Sequence, residues 1–161
     1  MAYWLFKSEP ESYSFADLQA EPDRSTGWDG VRNYQARNLL RDTIKVGDQV
    51  FFYHSNAEPP GIVGIAKVVQ AGHPEPAAFD AGHHYFDEKS DPSNPTWYQV
   101  RIQAVNPVEP PITLPELRSI PELAGMELLR KGSRLSVQPV TAAEWKLITG
   151  LAKTSKKKKQ G

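Results

Sequence analysis

The chain has 161 residues, of which 39% are hydrophobic, 24% charged and 10% aromatic. This size and composition are typical of one folded domain and exclude a disordered or fibrous protein. Because the chain has no cysteine, disulfides, thiolate metal sites and cysteine nucleophiles are excluded. No apolar run approaches the roughly 18 residues that span a bilayer, and the N-terminus lacks the features of a signal peptide. We therefore expect a cytoplasmic protein, or a nuclear one in a eukaryote, with no membrane partner.

The formal net charge of zero hides two regions of opposite sign. Residues 1–152 carry 14 basic and 19 acidic side chains, a net charge of −5, whereas residues 153–161 carry five lysines and no acid. An acidic body disfavours a broad grip on phosphates, so any nucleic-acid site must be local. We expect one domain over 1–152 and, because 153–161 has no apolar residue to bury, a disordered lysine-rich tail.

The first third of the chain predicts one strand and two short helices. Residues 2–6 are aromatic and apolar, as in an opening strand. Ser14 begins an S-x-x-D capping box, which indicates a helix start. The polar segment that leads to Trp28 reads as a loop. Good helix formers then predict a second helix over 34–41, with Tyr34 on its buried side.

The middle of the chain predicts a hairpin, a long loop and a strand. Residues 50–55 and 61–69 are dense in strand formers and are expected to pair, with the glycines of the second run marking a bulge or a close backbone approach. Prolines and glycines predict a loop over 70–95, and loops of this length are often functional. In residues 97–105, apolar and polar side chains alternate, which predicts a strand.

The last third predicts two helices around one strand. Two T-x-x-E capping boxes indicate helices near 114–119 and 142–151, and residues 135–138 favour a strand between them. With strands often consecutive along the chain, the order favours an α+β fold in which a curved mixed or antiparallel sheet, barrel-like, is flanked by short helices.

The densest cluster of polar and aromatic residues runs from 28 to 38. There Trp28 can offer a stacking face, Arg32 and Arg37 cations for phosphate, and Asn33 an amide for a base edge. The alternative is that Trp28 fills the core beneath a loop while both arginines are solvated.

Polar residues also follow two predicted strands. Lys7 and Ser8 end the first strand, and His54, Ser55 and Asn56 end the strand over 50–55. If the two strands are neighbours in one sheet, these ends converge around one opening suited to a small polar ligand. The alternative is that Ser8 caps a helix and Lys7 is solvated.

The long loop holds a third candidate cluster. His83, His84 and Asp87 could bind a metal, or Tyr85 and Phe86 could form a lid. Adjacent histidines point in different directions in most backbones, and no H-x-x-x-H spacing places two on one helix face, so we expect no metal.

Motifs for catalysis and nucleotide cofactors are absent. A hydrolase using Ser55 and His54 lacks the G-x-S-x-G elbow, and neighbouring residues rarely serve as nucleophile and base. Neither G-x-x-x-x-G-K-[ST] nor G-x-G-x-x-G occurs, so we expect no cofactor. An enzyme acting on modified nucleotides stays a third class of function.

Several motifs together resemble the EVE domain family over roughly residues 2–151. They are Tyr3 to Pro10, Trp28 to Asn38, Gly47-Asp48, Phe52 to Ser55, Gly61 to Gly64, Asp91 to Trp97 and Arg134 to Pro139. That family belongs to the PUA-like superfamily and is similar to the YTH domains, which bind methylated adenine in RNA. The resemblance implies a small mixed β-barrel with short helices around it.

The resemblance also implies a function without turnover. It predicts a reader of a modified base, 5-methyl- or 5-hydroxymethylcytosine in DNA, flipped into a pocket. The alternative is an RNA-binding module or RNA-modification reader. Trp28 matches one wall of the pocket, Lys7 and Ser8 match the strand end that contacts the nucleotide, and Ser55 and Asn56 match the strand end opposite. The predicted site comprises Lys7, Ser8, Trp28, Arg32, Asn33, Arg37, Tyr53, Ser55, Asn56, Tyr85 and Phe86, the last two as further aromatic wall.

Overall fold

Six strands form one mixed sheet in the computed structural model, which describes residues 1–133 and 135–160, the side chains as far as 152. The strands are β1 (Tyr3–Ser8), β2 (Ser25–Gly27), β3 (Gln49–His54), β4 (Gly61–Pro74), β5 (Tyr98–Thr113) and β6 (Val137–Val140). Their order in the sheet is β2-β5-β4-β3-β1-β6. The pair β1 and β3 is parallel, and the other pairs are antiparallel. The α+β class and the β3–β4 hairpin are confirmed. Arg134 of the last motif and Gly161 of the tail lie outside the described residues.

In the part of the chain that the structure describes, four short or medium helices flank the sheet. They are α1 (Phe15–Gln19), α2 (Tyr34–Asn38), α3 (Leu114–Arg118) and α4 (Ala142–Gln160), with a π-helical turn over Leu39–Thr43 and 3-10 turns over Pro76–Phe79, Pro121–Leu123 and Glu127–Leu129. The capping boxes before α1 and α3 both form. Among the described residues, none of these helices combines the length and apolar character that crossing a membrane requires.

The backbone of residues 153–160 continues α4. This differs from the disordered tail that the sequence predicts. Lysine and glutamine have good helix propensity, and adding a residue to an existing helix costs far less than starting one. The domain boundary at 152 stays a prediction.

Both faces of the sheet are buried. Along β3, Phe52 packs into one apolar cluster with Phe6, whereas Phe51 and Tyr53 pack into a second cluster with Trp145. Successive side chains of a strand point to opposite faces, so a run of apolar residues such as that in β3 fits a sheet covered on both sides.

A buried carboxylate ties the N-terminus to the turn before β3. Asp48 accepts hydrogen bonds from the backbone of Ala2 at 3.0 Å, the indole of Trp4 at 2.9 Å and the backbone of Lys45 at 2.9 Å. Burial opposes ionisation of Asp48, but these hydrogen bonds outweigh it and lower its pKa.

The glycines of β4 serve close packing, as predicted. A Cβ at Gly64 would lie 2.4 Å from the ring of Phe15, and the register with β5 shifts between Ile62 and Gly64. Helix α1 can therefore approach the sheet only where the strand has no side chain.

Three local predictions were wrong. The polar segment before Trp28 forms β2, and the predicted loop over 70–95 loses its first residues to β4, which extends to Pro74. Tyr34 is 62% exposed, although its position predicted burial. It stacks instead on Trp97, with ring centroids 5.2 Å apart.

Candidate functional site

A cavity of about 310 Å³ opens beside the end of β2. Three segments meet there: the loop between β1 and α1, the chain leaving β2, and the loop between β4 and β5. The described residues that line it are Ser12, Tyr13, Thr26, Gly27, Trp28, Asp29, His83, His84 and Tyr85. Of the site residues predicted from the sequence, Trp28 and Tyr85 are among them.

Trp28 serves the core and the cavity at once. Its side chain is 7% exposed, and its ring packs 5.3 Å from that of Phe6 and edge-on at 5.4 Å to Phe52. Trp28 also lines the cavity beside Tyr13, whose ring lies 6.4 Å away. Trp28 therefore packs in the core, as one of the two alternatives predicted, although both arginines bond to protein and are not simply solvated. Stacking of Trp28 on a base stays a prediction.

Tyr85 lies against a glycine that no other residue could replace without strain. Gly30 has φ of +79°, and a Cβ there would lie 2.3 Å from the ring of Tyr85. Burial raises the pKa of Tyr85. The backbone beyond Trp28 thus needs glycine both for its left-handed conformation and for contact with the tyrosine wall.

An ion pair fixes the Tyr85 loop to this backbone. The Arg32 guanidinium donates to the Glu75 carboxylate at 2.6 and 3.0 Å and to the backbone carbonyl of Tyr85 at 2.6 Å. Glu75 is fully buried and also accepts from the Gly30 N–H at 3.0 Å. Arg32, predicted to contact phosphate, is thus committed to positioning the cavity wall, and sequence reasoning missed Glu75.

A second arginine adds to a stack of aromatic rings and guanidinium groups beside the cavity. Arg37 donates to the Thr96 carbonyl at 2.7 Å and lies 5.3 Å from the ring centroid of Tyr34. Tyr34 stacks on Trp97, and the Arg32 guanidinium lies 4.9 Å from the Trp97 ring. This stack of Arg37, Tyr34, Trp97 and Arg32 supports the residues beside the cavity.

Asn33 acts as the N-cap of α2. Its side-chain oxygen accepts from the Ala36 N–H at 2.9 Å, and it does not line the cavity. Asparagine immediately before a predicted helix is a cap signal that the sequence already contained.

The predicted convergence of the two strand ends is confirmed, because β1 and β3 pair side by side and the Ser55 N–H donates to the Ser8 carbonyl at 3.0 Å. The side chains of Ser8 and Asn56, however, bond to protein. The Ser8 hydroxyl donates to the Tyr13 carbonyl at 2.6 Å, and the Asn56 amide donates to Glu9 at 2.7 Å. These residues brace the loop that carries Tyr13 and do not line the cavity.

Lys7 lies beside the same strand end. Burial lowers its pKa, and the nearby Glu127 carboxylate partly restores it. Its backbone N–H donates to the Ser136 carbonyl at 2.8 Å. Lys7 does not line the cavity.

Two other predicted residues lie away from the cavity. Tyr53 is 3% exposed and belongs to the second apolar cluster, on the face of the sheet opposite Trp28. Phe86 is 43% exposed and follows Tyr85 outside the lining. The structure brings neither together with Trp28.

The histidines of the long loop form a stacked wall. The rings of His83 and His84 lie 4.7 Å apart, and His84 lies 4.0 Å from Tyr85. Asp87, the third ligand of the metal considered above, accepts from the Trp97 indole at 2.8 Å. Within the described part of the chain, no cluster of three or more such side chains fits a metal.

His54, considered as a base for Ser55, is also committed to the fold. Its ring nitrogen Nε2 accepts from the Phe15 N–H at 3.1 Å. Burial lowers the pKa of His54, while the Asp17 carboxylate opposes that shift.

Asp29 supplies the carboxylate of the cavity. Its side chain is 39% exposed, and Oδ2 lies 3.9 Å from Nε2 of His83. Burial raises the pKa of Asp29, the nearby Glu75 carboxylate raises it further, and His83 opposes them. Sequence reasoning included Asp29 only within the cluster over 28–38, and it considered His83 and His84 only as metal ligands. It missed Ser12, Tyr13 and Thr26, the last because β2 itself was not predicted.

Comparisons with known proteins agree on one family. The model of the EVE domain matches residues 2–151. Thymocyte nuclear protein 1 from Homo sapiens is 40% identical over 93% of this chain and 73% of its own length. A crystal structure of a protein from Pseudomonas syringae is 46% identical, with a TM-score of 0.88, over 94% of this chain and 99% of that one.

One solved structure of a relative is a complex with DNA. The crystal structure of the human THYN1 protein in complex with DNA that contains 5-methylcytosine is 39% identical, with a TM-score of 0.87, over 94% of this chain and 98% of that one. The similarity in sequence and in structure extends over nearly the whole chain. The chain belongs to the EVE domain family.

Proposed function

We propose that this domain is a reader of modified cytosine in DNA, 5-methylcytosine or 5-hydroxymethylcytosine, which it holds turned out of the helix in the cavity beside Trp28. The observation that carries the proposal is the human THYN1 complex with 5-methylcytosine DNA, which shares 39% of its sequence and a TM-score of 0.87 with this chain. In this chain, the cavity beside Trp28 also brings in Tyr85, the second aromatic wall that the family resemblance predicts.

The size and walls of the cavity suit a single base. Its volume of about 310 Å³ lies at the lower end of the roughly 300 to 1,000 Å³ of ligand pockets. Aromatic side chains at Trp28 and Tyr85 provide π-faces and edges, and stacking on an aromatic contributes about 1 to 3 kcal/mol per base. Extruding the base costs a few kcal/mol, which this contact roughly offsets.

Net affinity must therefore come from polar contacts. Ser12 and Thr26 offer hydroxyl groups inside the cavity, and Asp29 offers a carboxylate. Arg32 and Arg37, by contrast, already bond to protein acceptors. The phosphate backbone is then attracted chiefly by the five lysines of 153–161, acting as a sequence-blind anchor.

Selectivity for the methyl group is expected to be modest. Burying one methyl contributes about 0.8 kcal/mol, or about fourfold in affinity. A larger preference requires that the unmodified base leave a void or an unpaired polar group.

A titration of matched oligonucleotides tests the proposal. Duplex DNA with one 5-methylcytosine, the same duplex with cytosine, and RNA of the same sequence with each base are compared at fixed salt by fluorescence anisotropy. We expect the methylated DNA to bind about fourfold more tightly than unmodified DNA and more tightly than either RNA. Tighter binding of the methylated RNA would contradict the proposal and favour the RNA reader.

A further inference from the structure

A reader of 5-methylcytosine has to reject thymine, which carries the same methyl group. The two bases differ at position 4, where 5-methylcytosine has an amino group and thymine a carbonyl, and at N3, which is an acceptor in cytosine and a donor in thymine. Stacking and methyl burial are the same for both bases. Some polar group of the cavity must therefore read this edge.

Most polar groups that line the cavity cannot distinguish 5-methylcytosine from thymine by themselves. The hydroxyl groups of Ser12, Thr26 and Tyr85 and the imidazole of His84 each donate or accept according to how they rotate or protonate. Such groups adapt to either base. A carboxylate differs, because in its ionised form it only accepts.

Asp29 is the one carboxylate among the described residues that line this cavity. It follows Trp28 directly in the chain, so its position is fixed by the same backbone that places the aromatic wall. Its side chain is 39% exposed and lies 3.9 Å from the imidazole of His83, which leaves carboxylate oxygen surface free to meet a ligand.

We propose that Asp29 is the residue that selects an amino-bearing pyrimidine, by accepting a hydrogen bond from the 4-amino group of the turned-out cytosine. Thymine has a carbonyl at the same position, so two hydrogen-bond acceptors would face each other and no hydrogen bond would form. Carboxylates read the cytosine amino group in the same way in other DNA complexes, and a good base-edge contact discriminates by about 5- to 150-fold. This inference rests on the proposed function.

The test uses two substitutions of one residue and a matched control. Asp29→Asn keeps the shape but adds a donor, so its amide can meet either base. Asp29→Ala removes the contact. Asp80→Asn makes the same change of charge in the neighbouring loop, at an exposed carboxylate that does not line the cavity and whose bond from Gly82 an amide oxygen preserves.

Affinities are measured at pH 8, where a carboxyl is ionised, for oligonucleotides that differ only in one base, 5-methylcytosine or thymine. Each stands opposite an abasic site, so neither has to break base-pair hydrogen bonds. We expect the wild type and Asp80→Asn to prefer 5-methylcytosine by at least fivefold. In Asp29→Asn this preference falls towards one because thymine binds more tightly, and in Asp29→Ala it falls because 5-methylcytosine binds less tightly.

The outcomes separate this inference from the proposed function. If all variants bind the methylated base and Asp29→Asn keeps the wild-type ratio, the role of Asp29 is overturned while the reader function stands. If the wild type does not bind 5-methylcytosine DNA at all, the proposed function fails and the inference falls with it. Circular dichroism of each variant verifies that it is folded.

Discussion

The substitution Glu75→Gln tests how the wall of the cavity is held. It is nearly isosteric, but it removes the charge that meets the Arg32 guanidinium at 2.6 and 3.0 Å. Separating a buried ion pair costs about 3 to 5 kcal/mol. Because the Arg32 side chain is 28% exposed, water solvates its guanidinium and reduces this cost. We therefore expect the free energy of unfolding to fall by about 2 kcal/mol. For a chain of this length, that lowers Tm by about 4 to 8 °C.

The assay combines stability and binding. Urea unfolding gives the change in free energy, and a double-mutant cycle with Arg32→Gln gives the coupling between the two side chains, which we expect to exceed about 1 kcal/mol. Affinity for DNA should fall as well, because Arg32 also bonds to the Tyr85 carbonyl. Glu88→Gln, at an exposed carboxylate of the same loop, is the control. A Glu75→Gln variant within about 0.5 kcal/mol of the wild type, or a coupling near zero, would refute this account of the wall.

Three further predictions follow from the same structure. Trp28→Ala should destabilise the fold by about 3 to 5 kcal/mol, since the ring belongs to the core, and should also abolish DNA binding, whereas Trp28→Phe should fold and lose affinity. Chemical denaturation measures the stability of each variant, and fluorescence anisotropy measures its affinity. A Trp28→Ala variant of wild-type stability would contradict the packing of the ring in the core. Deleting 153–161 should weaken binding to all DNA alike and make the plot of log affinity against log salt shallower, by up to about 4.5 in slope for five lysines. A loss confined to modified DNA would contradict the role of the tail. Folding lowers the pKa of Asp48, so its ionised form stabilises the fold above the unfolded carboxyl pKa of about 3.9, and this stabilisation is lost as pH falls through the lower folded pKa. Asp48→Asn should therefore be less stable than the wild type at pH 7 but lose less stability between about pH 5 and 2. Equal losses of the two proteins in acid denaturation would show that the hydrogen bonds do not favour the charge of Asp48.

Local patterns in the sequence predicted most of the framework. Capping boxes placed the starts of α1 and α3, a run of strand formers placed β3, and alternation placed the first part of β5. The strand β2 was missed because three small residues, Ser25–Gly27, carry no alternation of their own and are held by pairing with β5.

The site was less predictable because its contacts join distant parts of the chain. Glu75 lies 43 residues from Arg32, and no short spacing in the sequence connects them. The chain did hold a signal against Tyr53: it is next to Phe52 in a strand, so if Phe52 faces Trp28, Tyr53 must face away. Trp28 and Tyr85 were predicted from the resemblance to the EVE and YTH domains, and both line the cavity.

A crystal structure of this chain bound to an oligonucleotide with one 5-methylcytosine tests the central claim most directly. The account predicts that the methylated base lies outside the helix, between Trp28 and Tyr85, with its 4-amino group within hydrogen-bond distance of the Asp29 carboxylate. A complex in which the methylated base stays stacked in the duplex, or enters a different part of the surface, would contradict it.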